Sequence, residues 1–437
     1  MTLTHPARLV LAALLAFGLA LAISLALRDT PSMPGAPSSP LGGSARPAAG
    51  TDGEIARLQA AVRAAPGNPQ RETELADAYL QKVRETGDVS FYARADGLLR
   101  RAAARAPRDP GVLISQGTLA LARHDFAGAL ELGRRARAAA PDSRAADPVV
   151  VDALIELGRY GAAERALQAM VDAKPNLASY ARVSYFRELH GDLDGAVAVM
   201  QRAIAAGGAA PENVAYVQSL LGHLELARGH RGAARRAFES ALHGVPGYVP
   251  GLVGLARLDG ARGDLDRAIA RWRKIVERLP LPEYVVGLGE AELAAGRRAD
   301  AWRDLALVGA EQKLLASAGV NTDVELALYH ADYGDRARGV ELARRAWASA
   351  PSVRSADALG WALTRAGKPG AGLRWAHRAL RLGSLDAGLR FHAGMSALAA
   401  GRRGEGRRDL RLALAHGLAA ASPWQAQQAR RALGGRS

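Results

Sequence analysis

The chain contains no cysteine, which excludes disulfides, thiolate metal sites, cysteine nucleophiles and lipid attachment through an N-terminal cysteine. It is also poor in lysine: Lys82, Lys174, Lys274, Lys313 and Lys368 are the only ones among 58 basic residues. The net charge of +15 is therefore carried by arginine. Aromatic residues make up only 5% and β-branched runs are short, so almost no strand is expected. No Gly-rich phosphate loop, nucleophile elbow or metalloprotease helix occurs. Gly287-Leu288-Gly289 lacks the third glycine and preceding strand of a dinucleotide site. Asp192-Leu193-Asp194-Gly195 and Asp264-Leu265-Asp266 lack the downstream bidentate Glu of a calcium loop and read as helix-capping turns. His223 and His230 have no third ligand nearby. No catalytic, cofactor or metal site is expected, and the chain is not read as an enzyme.

What is present is Ala, Arg, Leu and Gly in a chain of 437 residues, beyond the size at which one core stops growing. That combination suits close-packed helices joined by glycine turns. The arginine excess reads chiefly as solvated surface, with an anionic partner as the second reading.

The first eight residues form a short tail. From Leu9 to Leu27 every residue is apolar or small, and 19 residues of helix span roughly 28 Å, close to a hydrocarbon core. The run is longer than the apolar stretch of most cleaved signals and reads as a transmembrane anchor. Ala20-Leu21-Ala22 and Ser24-Leu25-Ala26 keep signal cleavage, and hence secretion, as the alternative. Arg8 precedes the run, while Arg28 is offset by Asp29, so the positive-inside rule puts the tail in the cytoplasm and the rest outside. Residues 28–52, rich in Pro, Gly, Ser and Ala, read as a flexible linker.

Residues 53–437 carry a repeat. Glycine followed five residues later by a small residue recurs at Gly158/Ala163, Gly191/Ala196, Gly229/Ala234, Gly263/Ala268, Gly296/Ala301, Gly334/Gly339, Gly367/Gly372 and Gly401/Gly406. The step is about 34 residues, and Ala129 and Ala95 extend the register backwards. Such a period arises because a helical hairpin has an apolar face that only a neighbouring hairpin can bury. Each glycine is expected to end a first helix in a left-handed conformation, and each small residue to let the second helix approach closely. Pro107, Pro141, Pro175, Pro246, Pro280 and Pro351 then stop the second helices. Gly339, Gly372 and Gly406, in place of alanine, cost about 1 kcal/mol each in helix propensity and predict a superhelix that loosens or bends in the last units. Irregular stretches fall at 207–212 and 308–321. A lone helix near Glu54–Ala65 and a last one opened by Ser422 and Pro423 are expected to cap the array.

The pattern Leu221, Gly222, Ala234, Phe238, Ala241, Pro246, with Leu255, Ala256, Ala268, Trp272, Pro280 and Gly117, Ala129, Ala136, Pro141, resembles the tetratricopeptide repeat. With the N-terminal segment, the whole resembles a bacterial membrane-anchored protein of that type. The resemblance implies an all-α, right-handed superhelical solenoid of about ten hairpins. It also implies a concave groove lined by first helices, which points to Tyr185, Tyr216, Ser219, His223, Arg257, Glu290, Trp361 and Phe391 as the partner-binding set. Trp272, Trp302, Trp347 and Trp375 are assigned to the core. The arginines at 402, 403, 407, 408, 411, 430 and 431 offer a second, basic surface. The expected function is a membrane-tethered, extracytoplasmic scaffold for protein or peptide partners, in assembly or maturation of an envelope or secreted complex. The alternative is a cytoplasmic regulator or nucleic-acid-associated adaptor, nucleic acid being the less favoured partner.

Overall fold

A computed structural model describes residues 50–208 and 211–434. The apolar run 9–27 and the linker up to residue 49 lie outside the described residues. All regular structure among the described residues is helical. Helix α1 (Thr51–Ala64) is followed by ten hairpins. The first five are α2 (Pro69–Thr86) with α3 (Ser90–Arg105), α4 (Pro110–Ala122) with α5 (Phe126–Ala139), α6 (Asp147–Glu156) with α7 (Tyr160–Ala173), α8 (Leu177–Leu189) with α9 (Leu193–Ala205), and α10 (Pro211–Ala227) with α11 (Arg231–Gly244). Then come α12 (Val249–Arg262) with α13 (Leu265–Arg278) and α14 (Pro282–Ala294) with α15 (Arg298–Leu305). An extra helix, α16 (Val308–Ser317), leads to α17 (Asp323–Asp332) with α18 (Arg336–Ser349), α19 (Val353–Arg365) with α20 (Pro369–Ala379), and α21 (Ala387–Ala399) with α22 (Arg403–Ala415). The short α23 (Leu418–Ala421) and α24 (Pro423–Ala432) close the array.

Local chemistry sets these boundaries. The helices before Pro107, Pro141, Pro175, Pro246, Pro280 and Pro351 each end two residues earlier, because proline excludes the residue before it from the helical region. Of the aspartates that resemble calcium ligands, Asp192 and Asp264 cap second helices by accepting from the amides of Gly195 at 2.9 Å and Arg267 at 3.3 Å, while Asp194 and Asp266 pair with Arg228 and Arg297. Gly158, Gly191, Gly229, Gly263, Gly296, Gly367 and Gly401 take the left-handed conformation expected of them. Gly334 does not. There the Asp335 amide donates to Nδ1 of His330 at 3.2 Å, and a side chain closes the turn instead. His124 holds the equivalent position of its own hairpin at φ 60, the single non-glycine residue with positive φ among those described.

Packing follows the register. Ala95, Ala129, Ala163, Ala196, Ala234, Ala268 and Ala301 are all fully buried where the two helices of a hairpin cross. The glycines of the last units behave differently from the expectation of looser packing. A Cβ at Gly372 would stand 2.7 Å from the Gly360 carbonyl oxygen, and one at Gly406 would stand 2.8 Å from that of Gly394. These pairs cross more tightly than alanine allows, and the close contact offsets the lower helix propensity. Fully buried Leu80, Leu99, Leu258, Phe238 and Phe391 each contribute roughly 1.5–3 kcal/mol. Phe238 of α11 packs both on Gly222 and His223 of its own hairpin and on Gly254 of the next, so each hairpin's apolar face is completed by its neighbour.

Successive superhelical turns touch. Gly87 packs on Leu279, Arg123 Nε donates to the Ala318 carbonyl at 3.0 Å, and Gly158 lies against the Pro351 carbonyl. Gly191 abuts the Gly383 carbonyl, and His416 Nδ1 bonds the Ala227 carbonyl at 3.1 Å. By subtraction these pairs are separated by 192, 195, 193, 192 and 189 residues. One turn of the superhelix thus takes between five and six hairpins, and the turns inside early hairpins dock on the loops between late ones. Tyr160 joins this seam by accepting from the Val353 amide at 2.9 Å. The irregular stretch 308–321 contributes to it: α16 ends so that the Asn321 amide donates to the Arg123 carbonyl at 3.0 Å. His124 Nδ1 bonds the Asn321 carbonyl at 2.6 Å, and since a carbonyl only accepts, Nδ1 carries the proton. The last helix also spans turns. Ser422 caps α24 through the Gln425 amide at 3.0 Å, and Gln427 donates to the Ala294 carbonyl of α14 at 2.9 Å.

Candidate binding chamber

Because the turns touch, the concave side of the solenoid is a chamber of about 430 Å³ enclosed by first helices. Side chains at i, i+3 and i+7 share one helix face, which brings Tyr216, Ser219 and His223 of α10 to the same wall. Tyr185 and Glu188 enter from α8, Arg257 from α12 and Tyr284 from α14. Arg354 and Asp357 of α19 and His392 of α21 also line it, with Glu156, Ser384 and Asp386. Leu189, Leu224, Val253 and Leu328 supply apolar wall between them.

Five of the eight groove residues expected from sequence, Tyr185, Tyr216, Ser219, His223 and Arg257, therefore meet in one space. The other three lie outside its lining. Glu290 accepts from the Tyr333 hydroxyl at 2.7 Å, Trp361 donates through Nε1 to Asp332 at 3.0 Å, and Phe391 is wholly buried in the core. Trp302, assigned to the core, is 50% exposed, in T-shaped contact with Tyr333 at 6.3 Å. Trp347 and Trp375 form a T-shaped pair 4.7 Å apart with Arg378 over both, half-buried on the wall. Trp272 is buried as expected. His223 and His230 do not converge: His223 packs edge-on against Phe238 at 5.1 Å, and His230 Nδ1 contacts Glu225 at 3.0 Å. No cluster able to hold a metal occurs among the described residues.

Enclosure sets the charge states. Burial drives the His223 imidazole down to about 3, with Arg257 adding repulsion, so it is neutral. Burial raises Tyr185, Tyr216 and Tyr284 well above the usual phenol range, and they remain hydroxyls. Burial, and then Asp386, pushes Glu188 up to about 7. Glu156 is raised by burial, and Tyr185 donates to it at 3.4 Å. Glu325, at 4.0 Å from Arg354, is pushed by burial to about 7. Burial opposes a charge on His392, but Asp357 at 2.9 Å, joined by the charges of Asp332 and Asp386, outweighs it and holds the imidazole above its ordinary range. Arg257 is different. Its guanidinium is lowered by burial and has no carboxylate within ion-pairing distance among the described residues, and Nε lacks any hydrogen-bond partner.

Glu156, Glu188, Arg354, Asp357, Asp386 and His392 were missed from sequence. Glu188 was within reach of the same reasoning, since it follows Tyr185 by three residues on one helix face.

No family model and no curated protein matches the chain. Among solved structures it is similar to the human IFIT1 dimer with PPP-AAAA, at 16% identity over 76% of this chain and 78% of that one, with a TM-score of 0.46. It is similar to a chain of the APC/C hetero-tetramer Cut9–Hcn1 at 14% identity, over 88% and 93%, TM-score 0.38. The tetratricopeptide-repeat domain of P58(IPK) aligns at 15% identity, over 88% and 94%, TM-score 0.27. These likenesses are distant, and the stack of hairpins stands on the chain's own packing.

Proposed function

We propose that the protein is a membrane-tethered scaffold whose helical array lies outside the cytoplasm and whose basic wall recruits a protein partner that presents an acidic surface. The apolar run 9–27, the charge asymmetry around it and the Pro/Gly/Ser-rich linker support the tether. The observation that carries the scaffold reading is the seam, which joins ten hairpins into one body with a preformed outer wall. Binding to such a wall loses little conformational entropy. At the C-terminal end the wall exposes Arg402, Arg403, Arg407, Arg408, Arg411 and Arg430. The acids among them are already engaged, Asp409 by Arg390 at 3.0 Å and Glu405 by His377. A partner segment entering the chamber would be limited by its volume to a few residues, so the wall is the favoured docking surface.

The test is crosslinking in intact cells, followed by purification of the full chain in detergent. Reversing Arg402, Arg403, Arg407 and Arg408 to glutamate before crosslinking is expected to abolish recovery of the partner, and raised salt to weaken the complex isolated without crosslinker. Retention unchanged by the reversal would exclude the wall. Protease added to intact cells is expected to digest the array; protection until lysis would move it to the cytoplasm and favour the adaptor reading.

A further inference from the structure

Of the charges facing the chamber, most are matched. Arg354 lies against Glu325 and is favoured by Glu156, and His392 is held by Asp357. Two have no direct partner. Arg257 makes no ion pair among the described residues, its charge being favoured only from further off by Glu283, Glu290 and Asp386, and Glu188 has no cationic or hydrogen-bonding side-chain partner among them. Asp386, on the exposed lip of the chamber, acts on both through its charge, so the two belong to one electrostatic environment. Enclosing an unmatched guanidinium and an unmatched carboxyl is costly, and a packed protein core avoids it. A simple anion would satisfy Arg257 and leave Glu188; a simple amine would do the reverse. A molecule with both charges satisfies both.

We infer that the chamber binds a small zwitterion of the amino-acid class, with its carboxylate on Arg257 and its ammonium on Glu188. The volume of about 430 Å³ lies in the range of pockets that enclose a small molecule. Neutral His223 and the hydroxyls of Tyr216 and Tyr284 add hydrogen-bonding groups that carry no competing charge. Leu189, Leu224 and Val253 offer a surface for an aliphatic side chain. This site is independent of the basic outer wall and of the proposed partner.

The test is calorimetric titration of the full chain in detergent with each common free L-amino acid. The N-acetyl and methyl-ester forms of any binder, and the dipeptide built on it, follow. At least one free amino acid is expected to bind, with at least tenfold loss on blocking either end. Arg257→Met should abolish the penalty of esterification, and Glu188→Gln the penalty of acetylation. Because Glu188 must lose its proton to meet an ammonium, wild-type affinity should rise severalfold from pH 6 to pH 8, and the Glu188→Gln variant should lose that rise. Should Arg257→Met fail to fold, the Glu188→Gln arm decides alone. Absence of binding tighter than about 1 mM for every amino acid overturns the inference. So does binding indifferent to acetylation and to Glu188→Gln. Tighter binding of the dipeptide than of its free parent would replace the free zwitterion with a peptide end.

Discussion

At the scale of single residues, enclosure governs the protein's response to pH, and its acids and histidines pull in opposite directions. The raised value of Glu188, about 7, means that the folded chain keeps a proton that the unfolded chain releases above about 4.5. Its contribution to stability is full below 4.5 and is lost as pH rises through 7. His124 and His223, driven by burial to about 4 and about 3, have the other sign: stability is complete above about 6.5 and falls as pH drops towards the folded values. Whole-protein melting curves mix both, so a single substitution is needed to separate them. Glu188→Gln is expected to melt like the wild type below pH 4.5 and roughly 2 °C or more higher above pH 7. Thermal melts of the ligand-free protein across that range check it; a gain of equal size at acid pH would mean that Glu188 is not held protonated. His124 also shows a limit of reading residues singly. Its place lies 34 residues before Gly158, so the register names it as a left-handed turn position, yet only the structure shows the Asn321 carbonyl that holds it there.

At the scale of elements, sequence reasoning reached the helices, their caps, the crossing alanines and the number of hairpins, because each depends on residues within one period. The seam was out of reach. Gly158, Gly191 and Gly229 look alike in sequence and share the same left-handed conformation, but they face different surroundings. Gly229 has nothing within 4 Å of a would-be Cβ, whereas Gly191 would meet the Gly383 carbonyl oxygen at 2.6 Å and Gly158 would overlap that of Pro351. Gly229→Ala should therefore cost only the left-handed strain, about 1 kcal/mol. Gly158→Ala and Gly191→Ala should cost about 1–3 kcal/mol more, because the obstructing atoms are backbone and cannot swing aside. Denaturant titration of the three variants measures the difference, and equal losses would mean that the turn contacts contribute nothing. The chamber was half legible for a related reason. Tyrosines on first helices stood out as groove candidates, while Glu188 and Arg354 carried no local signal of enclosure, since only closure of the turns encloses them.

At the scale of the whole molecule, contacts about 190 residues apart change what kind of object the repeat array is. An open solenoid behaves as a row of neighbours, each unit coupled only to the next. Here the first five hairpins are also coupled to the last five, so unfolding of either half is expected to undermine the other. The physics of this is mechanical as well as thermodynamic. The array is a spring wound until its coils touch: it cannot be shortened, and its resistance to stretching begins with the bonds between coils. Those bonds are few and individually modest, each worth about 1 kcal/mol, while the helices within a coil are held by their full apolar faces. Pulling on the two ends of the array in a single-molecule experiment should first lengthen it at low force with the helices intact, and only then unravel hairpins in steps. A first event the length of one hairpin would show that the coils are not the weakest joint. If the array hangs from a membrane as proposed, such a spring would yield under load and recoil when released, with its chamber opening and closing as it did so.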